Sequence, residues 1–373
     1  MRILVDGRPF VRSAAGISTF LRCSLLSLSN LYPNDQIYLF LPKKNNITAV
    51  VDFPPNVNII KLNNRITNKF PNLLLLLLYI PYLVRRYKID LYYSPVPCIP
   101  YLLPKNVKTL IVIHDVVNIE YSQTTTLRNK IANYLLLKRS INIADYLWAN
   151  SNYTANKVKQ YFPKRKQKNI YVGCSIDTSI YKKRKIIEDE FVKLQNKWHI
   201  PNQYYLFVGS LEPRKNLEYL LQEIVPQVYC TYKIPLIVVG ARGWKDSKIF
   251  KIINTTSYPK ESVIFTGFIS NGELSILYNR AQFFISTSLN EGFGMPQLES
   301  LYCGCPIITS HNSAMIEVAD GIQGAYTVHG FKKQDWIKTI DDVLCKKPIV
   351  DRTRLVKYNW DFIVANLRDK IIL

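Results

Sequence analysis

No two cysteines in this chain stand in a C-x-x-C pair, and none of the seven has a partnering Cys/His cluster. Cys303 and Cys305 are too close together and too isolated for a zinc knuckle, so a structural zinc site is excluded and a reduced, cytoplasmic setting is the expectation. Low-complexity segments and solenoid-type repeats are absent as well. The start, Met1-Arg2-Ile3-Leu4-Val5-Asp6, reaches charge too early for a secretory signal and reads as a buried first strand. The longest apolar run, Leu73 to Val84, is broken by Pro81 and falls short of the ~20 apolar residues that cross a bilayer. Arg85, Arg86 and Lys88 follow it at once. An apolar segment with a basic flank can lie in a membrane interface, although a buried helix is the plainer reading. No Asp-x-Asp follows any strand candidate, so no metal-holding acidic pair is found.

Acidic residues are the scarce charge: 27 Asp and Glu stand against 49 Lys and Arg, a formal net charge of +22. Such an excess points to anionic partners, whether nucleic acid, phospholipid headgroups or a phosphorylated small molecule. An AT-rich genome, which favours Lys, Asn, Ile and Tyr, accounts for the spread of charge equally well. Nucleic acid is not the expected partner, because no helix-turn-helix, RNP-like or zinc pattern accompanies the charge.

What the chain does have is 373 residues, 48% hydrophobic, a length that suits two domains rather than one α/β core. Short apolar runs alternate with longer helical patterns, the mark of βαβ units and parallel sheets. The first half offers strands at Ile3–Val5, Ile37–Leu41, Leu91–Tyr93, Leu110–Ile113, Tyr146–Ala149 and Ile170–Val172. The second offers Tyr204–Val208, Leu236–Val239, Val263–Phe265, Phe283–Ser286 and Ile307–Thr309. The charged stretch 179–200 lacks strand character, ends at Pro201 and reads as a linker between a domain over 1–178 and another over 201–356. Residues 357–373 read as a final amphipathic helix, with Phe362, Ile363, Leu367 and Ile371 on its apolar face. Two Rossmann-like α/β domains follow, and ligands of such sheets bind beyond the carboxyl ends of the strands.

Two loops there carry chemistry. Strand Tyr204–Val208 runs into Gly209-Ser210-Leu211-Glu212-Pro213-Arg214-Lys215-Asn216, after which Leu217, Leu220, Leu221 and Ile224 share one helix face. Arg214 and Lys215 are thereby delivered to a helix start, already a favourable place for an anion, and their side chains suit a diphosphate. Strand Phe283–Ser286 leads into Glu291-Gly292-Phe293-Gly294-Met295-Pro296-Gln297-Leu298-Glu299. Pro296 fits a first helical position, Glu299 falls in the first turn, and Gly292 and Gly294 let backbone amides approach a ligand. Both carboxylates are suited to accept hydrogen bonds from sugar or ribose hydroxyls. Glu299 also has a bland reading, since an acid favours a helix N-terminus.

Glu291, seven intervening residues and Glu299, together with Gly209 to Asn216, resemble the two hallmarks of the family-four retaining glycosyltransferases of GT-B fold. That resemblance implies two Rossmann-like domains facing each other across a cleft. It further implies that Arg214 and Lys215 neutralise a donor diphosphate, that Glu291 binds the sugar hydroxyls, and that Glu299 binds the ribose. Backbone amides of Phe293, Gly294 and Met295 would touch phosphate or sugar. Gly16, after the first strand, matches the family's glycine loop, and His114, at the end of a strand, matches the histidine that reaches the transferred sugar. The loop Val172 to Asp177 keeps only part of the family pattern, and the Asn312-Ser313 segment before Glu317 is loosely like it. The opening Val5-Asp6-Gly7-Arg8 is similar to mannosyl- and rhamnosyltransferases of surface-glycan assembly. The expectation is transfer of a hexose, mannose from GDP-mannose foremost, the alternatives being a UDP- or dTDP-sugar-dependent transferase of the same fold, or a non-catalytic nucleotide-sugar-binding or nucleic-acid-binding protein. The acceptor would be a glycan or a lipid-linked oligosaccharide. No cofactor and no metal is expected beyond the nucleotide sugar, with peripheral contact to an anionic membrane.

Overall fold

The structure, a computed structural model, describes residues 1–11, 16–41, 53–62, 75–115, 136–163, 170–243, 247–255 and 258–372. The chain divides into two units, Met1–Ser175 with Lys357–Leu373, and Ile176–Val356.

The first unit is built on a seven-stranded parallel sheet in the order β3-β2-β1-β4-β5-β6-β7. The strands are β1 (Arg2–Asp6), β2 (Gln36–Leu41), β3 (Val57–Lys61), β4 (Leu91–Ser94), β5 (Lys108–Ile113), β6 (Tyr146–Ala149) and β7 (Ile170–Val172). In β1, β4 and β5 nearly every residue is buried, as expected of parallel strands covered on both faces. β3 has no counterpart among the sequence candidates. It lies at the sheet edge with a largely exposed pattern, so its apolar run is broken by Asn58 and Lys61.

Helix α1 (Gly16–Leu31) follows β1 and buries Phe20, Leu21 and Leu25, while Leu28 is half-buried. The C-terminal helix Trp360–Ile372 returns to this unit. Its Trp360 ring stands edge-on to Phe20 at 5.1 Å, Asp361 Oδ1 accepts from Ser27 Oγ at 2.6 Å, and Arg368 pairs with Asp35 at 2.8 Å. Ile363 and Leu367 are buried as expected, but Phe362 is 61% exposed. The buried face is completed by Trp360 and Val364 instead. Of the Leu73–Val84 run, residues 73–74 lie outside the described ones. A π turn, Leu75–Tyr79, leads into helix α2 (Ile80–Arg86), whose Ile80, Leu83 and Val84 pack with Leu4, Phe40 and Tyr92.

The second unit has a six-stranded parallel sheet, β10-β9-β8-β11-β12-β13. Its strands are β8 (Tyr205–Val208), β9 (Leu236–Val239), β10 (Val263–Gly267), β11 (Phe284–Ser286), β12 (Ile307–Ser310) and β13 (Ala325–Val328). The edge strand β13 was also absent from the sequence candidates. Its core gathers Tyr205, Phe207, Leu217, Leu220, Leu221, Ile224, Ile285 and Trp336, so the four residues expected on one helix face after Asn216 are all buried. Residues 179–200, read from sequence as a linker, hold helix α3 (Glu188–Trp198), which places Phe191 and Leu194 in the interior of this unit. The chain passes from one unit to the other between Ser175 and Ile176.

In this sheet the order reverses between β8 and β11, which are hydrogen-bonded neighbours. At such a reversal the loops leaving the two strands diverge to opposite faces and leave a crevice beyond their carboxyl ends. The two loops singled out in the sequence are the ones that leave β8 and β11.

Candidate active site

The β8 loop is shaped by close backbone approach. A Cβ on Gly240, after β9, would stand 1.9 Å from the Gly209 carbonyl oxygen, so only glycine lets the two loops touch. Leu211 N–H donates to Ala241 O at 3.2 Å, which fixes the path. Pro213–Lys215 then form a single 3-10 turn, closed by Asn216 in the left-handed region at φ 52°. Asn tolerates that conformation better than most residues. The turn aims Arg214 and Lys215 together at the loop after β11.

That second loop is laced to the first. Leu289 N–H donates to Arg214 O at 2.8 Å, and Thr287 Oγ1 donates to Asn216 O at 3.0 Å. Glu291 stands between the cations. Its Oε1 accepts from Lys215 Nζ at 2.5 Å and from Ser288 Oγ at 2.8 Å, and its Oε2 accepts from Arg214 Nη1 at 2.7 Å. Arg214 Nη1 also donates to Asn290 O at 2.7 Å, and Glu212 lies 3.8 Å from its other terminal nitrogen. Ser313 Oγ accepts from Glu291 N–H at 3.0 Å, drawing in the loop after β12. Burial alone would push the Glu291 carboxyl up, but Lys215 and Arg214 outweigh it and hold it down at about 2. It is a permanent carboxylate near neutral pH, able to accept hydrogen bonds and unsuited to proton transfer.

The glycine loop ends at Gly294, which caps helix α5 (Met295–Tyr302) with φ 100°. Phe293 is buried, while Gly292 and Met295 are half-buried. Pro296 is the second helical residue and Glu299 the fifth, one residue deeper than expected from sequence, which takes Glu299 just past the first turn. Glu299 is buried against helix α4 (Asn271–Arg280), where Tyr278 O–H donates to its Oε2 at 3.2 Å. Burial pushes its carboxyl up to about 7, and the charge of Asp177 adds to the rise. Gly209 borders the same site, with Lys215 Cε 3.2 Å from where its Cβ would be.

The structure therefore joins Arg214, Lys215 and Glu291 directly, and places Gly209 and Gly292 to Met295 in the loops that carry them. Gly16 and His114 belong to the first unit. Gly16 is the exposed first residue of α1. His114 follows β5, where its Nε2 lies 2.9 Å from Pro95 O and its ring meets Phe20 edge-on at 5.0 Å. A carbonyl can only accept, so Nε2 carries the proton and Nδ1 is the bare nitrogen. Burial lowers this imidazole to about 4, which keeps it neutral at pH 7.

Sequence reasoning missed Ser288, Asn290, Ser313 and Tyr278. Ser288 lies only three residues before Glu291, but a serine in a loop is too common to stand out. Tyr278 sits in a different helix, and nothing in its local sequence signals a buried carboxylate. Among the described residues no group of three or more His, Cys, Asp or Glu side chains is placed to hold a metal ion.

With this geometry in view, the comparisons with known proteins say what the chain is similar to. Residues 189–359 match the model described as Glycosyl transferases group 1. These residues, fewer than half of the chain, are similar to a group 1 glycosyltransferase domain. They include every strand-end residue of the cluster just described. The chain is similar to O-antigen chain mannosyltransferase B of Escherichia coli, 29% identical over 241 residues that make up 63% of this chain and 60% of that one. It is similar also to the serotype-specific mannosyltransferase WbdA of Escherichia coli, 24% identical over 60% of this chain and 28% of that one. The chain thus spans about 60% and 28% of these curated relatives. Among solved structures, sucrose-phosphate synthase from Thermosynechococcus elongatus has a TM-score of 0.75 at 16% identity, covering 100% of this chain and 98% of that one. WaaG, a glycosyltransferase involved in lipopolysaccharide biosynthesis, has a TM-score of 0.64 at 13% identity, covering 99% and 95%. Two parallel-sheet Rossmann-like domains of the GT-B class are the shared fold.

Proposed function

We propose that this glycosyltransferase moves a mannosyl group from GDP-mannose to a hydroxyl of a glycan or lipid-linked acceptor, with retention of anomeric configuration and without a metal ion. The observation that carries the reading is the pairing of Arg214 and Lys215 with Glu291 at the point where the sheet order reverses. In the reaction the bond from the anomeric carbon to the diphosphate oxygen breaks, and negative charge grows on the leaving group. Two cations already in place meet that charge with little reorganisation, which is where electrostatic catalysis gains most. Glu291, held ionised, accepts hydrogen bonds from hydroxyls of the sugar. Glu299 and the amides of Phe293, Gly294 and Met295 hold the ribose and phosphates. The acceptor hydroxyl attacks the same face that the diphosphate leaves, and its proton passes to a departing phosphate oxygen. No enzyme nucleophile takes part. His114, neutral in the first unit, is the candidate to contact the transferred sugar. The resemblance to mannosyltransferases supports the choice of sugar, while the cation pair supports any nucleoside diphosphate donor.

A thermal-shift panel of GDP-mannose, UDP-glucose and a dTDP-hexose tests the donor. A ligand at a hundred times its Kd adds about 2.7 kcal/mol of stability. GDP-mannose should give the largest shift, unchanged by EDTA, and transfer should continue in EDTA. A larger shift with another nucleotide replaces the donor, and loss of transfer in EDTA removes the metal-free mechanism.

A further inference from the structure

A second surface, in the first unit, is not used by the proposed chemistry. Helix α2 satisfies its core with Ile80, Leu83 and Val84, yet Tyr82 on the helix and Leu78 in the π turn before it are 48% and 56% exposed. These two are four residues apart, and Arg86 continues the row. Its Nη1 donates to Tyr82 OH at 2.8 Å, and its guanidinium lies over the Tyr82 and Tyr87 rings. Arg85 Nη2 reaches across to Leu102 O at 3.4 Å. That bond joins α2 to Tyr101 and Leu102, each 53% exposed. Arg139 then stacks on the Tyr101 ring at 3.9 Å. Scattered exposed apolar residues are ordinary on a protein surface, but here Tyr82, Tyr101 and Leu102 each have an arginine against them, and Leu78 stands four residues before Tyr82.

The charge of the surface is one-sided. Residues 75–105 contain Arg85, Arg86, Lys88 and Lys105 against one acid, Asp90, and 136–143 contain Lys138 and Arg139 with no acid. The Asp90 carboxylate is occupied by the backbone N–H of Arg2 at 2.7 Å. Leucine and tyrosine that enter the acyl boundary, with long cationic side chains reaching the headgroups around them, form an interfacial anchor. We infer that the face made by Leu78, Tyr82, Arg85, Arg86, Tyr101 and Leu102 docks the protein on an anionic phospholipid surface. A nucleic acid would match the cations and leave the exposed leucines without a role. Among the described residues no helix is long and apolar enough to cross a membrane. The inference stands independently of which sugar the enzyme moves.

Each cation near an anionic leaflet contributes about fivefold in affinity. Co-sedimentation of the full chain with phosphatidylcholine vesicles and with mixed phosphatidylcholine–phosphatidylglycerol vesicles reads the effect. Binding to the mixed vesicles is expected, with little to the neutral ones. The double variant Arg85→Glu/Arg86→Glu should lose at least about 25-fold, and Leu78→Asp/Leu102→Asp about tenfold or more. Lys251→Glu/Lys260→Glu changes the net charge equally on exposed positions of the second unit and should lose less than about twofold. Equal loss in that control assigns the attraction to overall charge and overturns the docking face, as does a wild type that binds no vesicle or that binds a DNA duplex instead. As a check that needs no charge change, Tyr82→Trp should shift its emission to the blue on mixed vesicles. Val192→Trp, at an exposed position of the second unit, should not, and equal behaviour of the two contradicts the inference.

Discussion

Glu291 and Glu299 lie eight residues apart on one loop and helix, both buried, and their carboxyl groups are driven in opposite directions. Glu291 meets Lys215, Arg214 and Ser288 and is held at about 2, whereas Glu299 meets a tyrosine hydroxyl and the charge of Asp177 and rises to about 7. Burial acts the same way on both, so the cations make the difference. The lesson is that two acids in one motif do different work. The first is a fixed anion that anchors the cation pair, and the second is poised to change its protonation near neutrality.

The comparison is broken most severely by Glu291→Gln. That change leaves two poorly exposed cations without their carboxylate, and losing one member of such a group costs about 4 kcal/mol. Urea unfolding at pH 7 should show a fall of that order, and an unchanged midpoint would mean that the pair contributes nothing. The wild-type contribution has a pH window. A carboxyl lowered from 4.5 to about 2 stabilises fully above 4.5 and loses that effect as pH falls towards 2.

Glu299 gives the opposite slope. Its carboxyl is raised from 4.5 to about 7, so the folded state binds the extra proton in that interval and stability falls as pH rises through it. The full penalty, up to roughly 3 kcal/mol, is present above pH 7. Glu299→Gln cannot ionise and should flatten that slope, making the variant the more stable protein at pH 8. Melting curves at pH 5 and pH 8 read this, and parallel pH dependence in wild type and variant would contradict it. The smallest effect belongs to Tyr278→Phe, which removes a hydroxyl that favours the Glu299 carboxylate. Its Glu299 should titrate still higher, at a cost of about 1 kcal/mol above pH 7. Carboxyl NMR or infrared titration would show the shift, and a downward movement would refute the assigned partner.

Much of this site was legible in the sequence because glycine, proline and charge punctuate the loops after β8 and β11. A lone Gly-x-Gly would have said little, but Arg214-Lys215 after one strand and Glu291 after another converge only if the sheet order reverses between them. The partners of those side chains were not legible. Ser288, Ser313 and Tyr278 act through tertiary contacts, and hydroxyl residues are too common in loops to announce themselves. In the fold, central strands were readable as buried apolar runs, whereas β3 and β13 were not. All four sheet-edge strands are short, but β7 and β10 keep apolar runs, whereas Asn58 and Lys61 interrupt β3 and Thr327 interrupts β13. Residues 179–200 read as a linker because charge covers the outer face of α3, although Phe191 and Leu194 hold it to the second unit.

The central claim is that Arg214 and Lys215, held in place by Glu291, grip the diphosphate of an activated sugar, and Arg214→Ala tests it most directly. With the donor that gives the largest thermal shift, kcat/KM for sugar transfer should fall about a hundredfold, on the order of 3 kcal/mol of transition-state stabilisation, while the variant remains folded. Transfer at the wild-type rate by a folded Arg214→Ala protein would contradict the account.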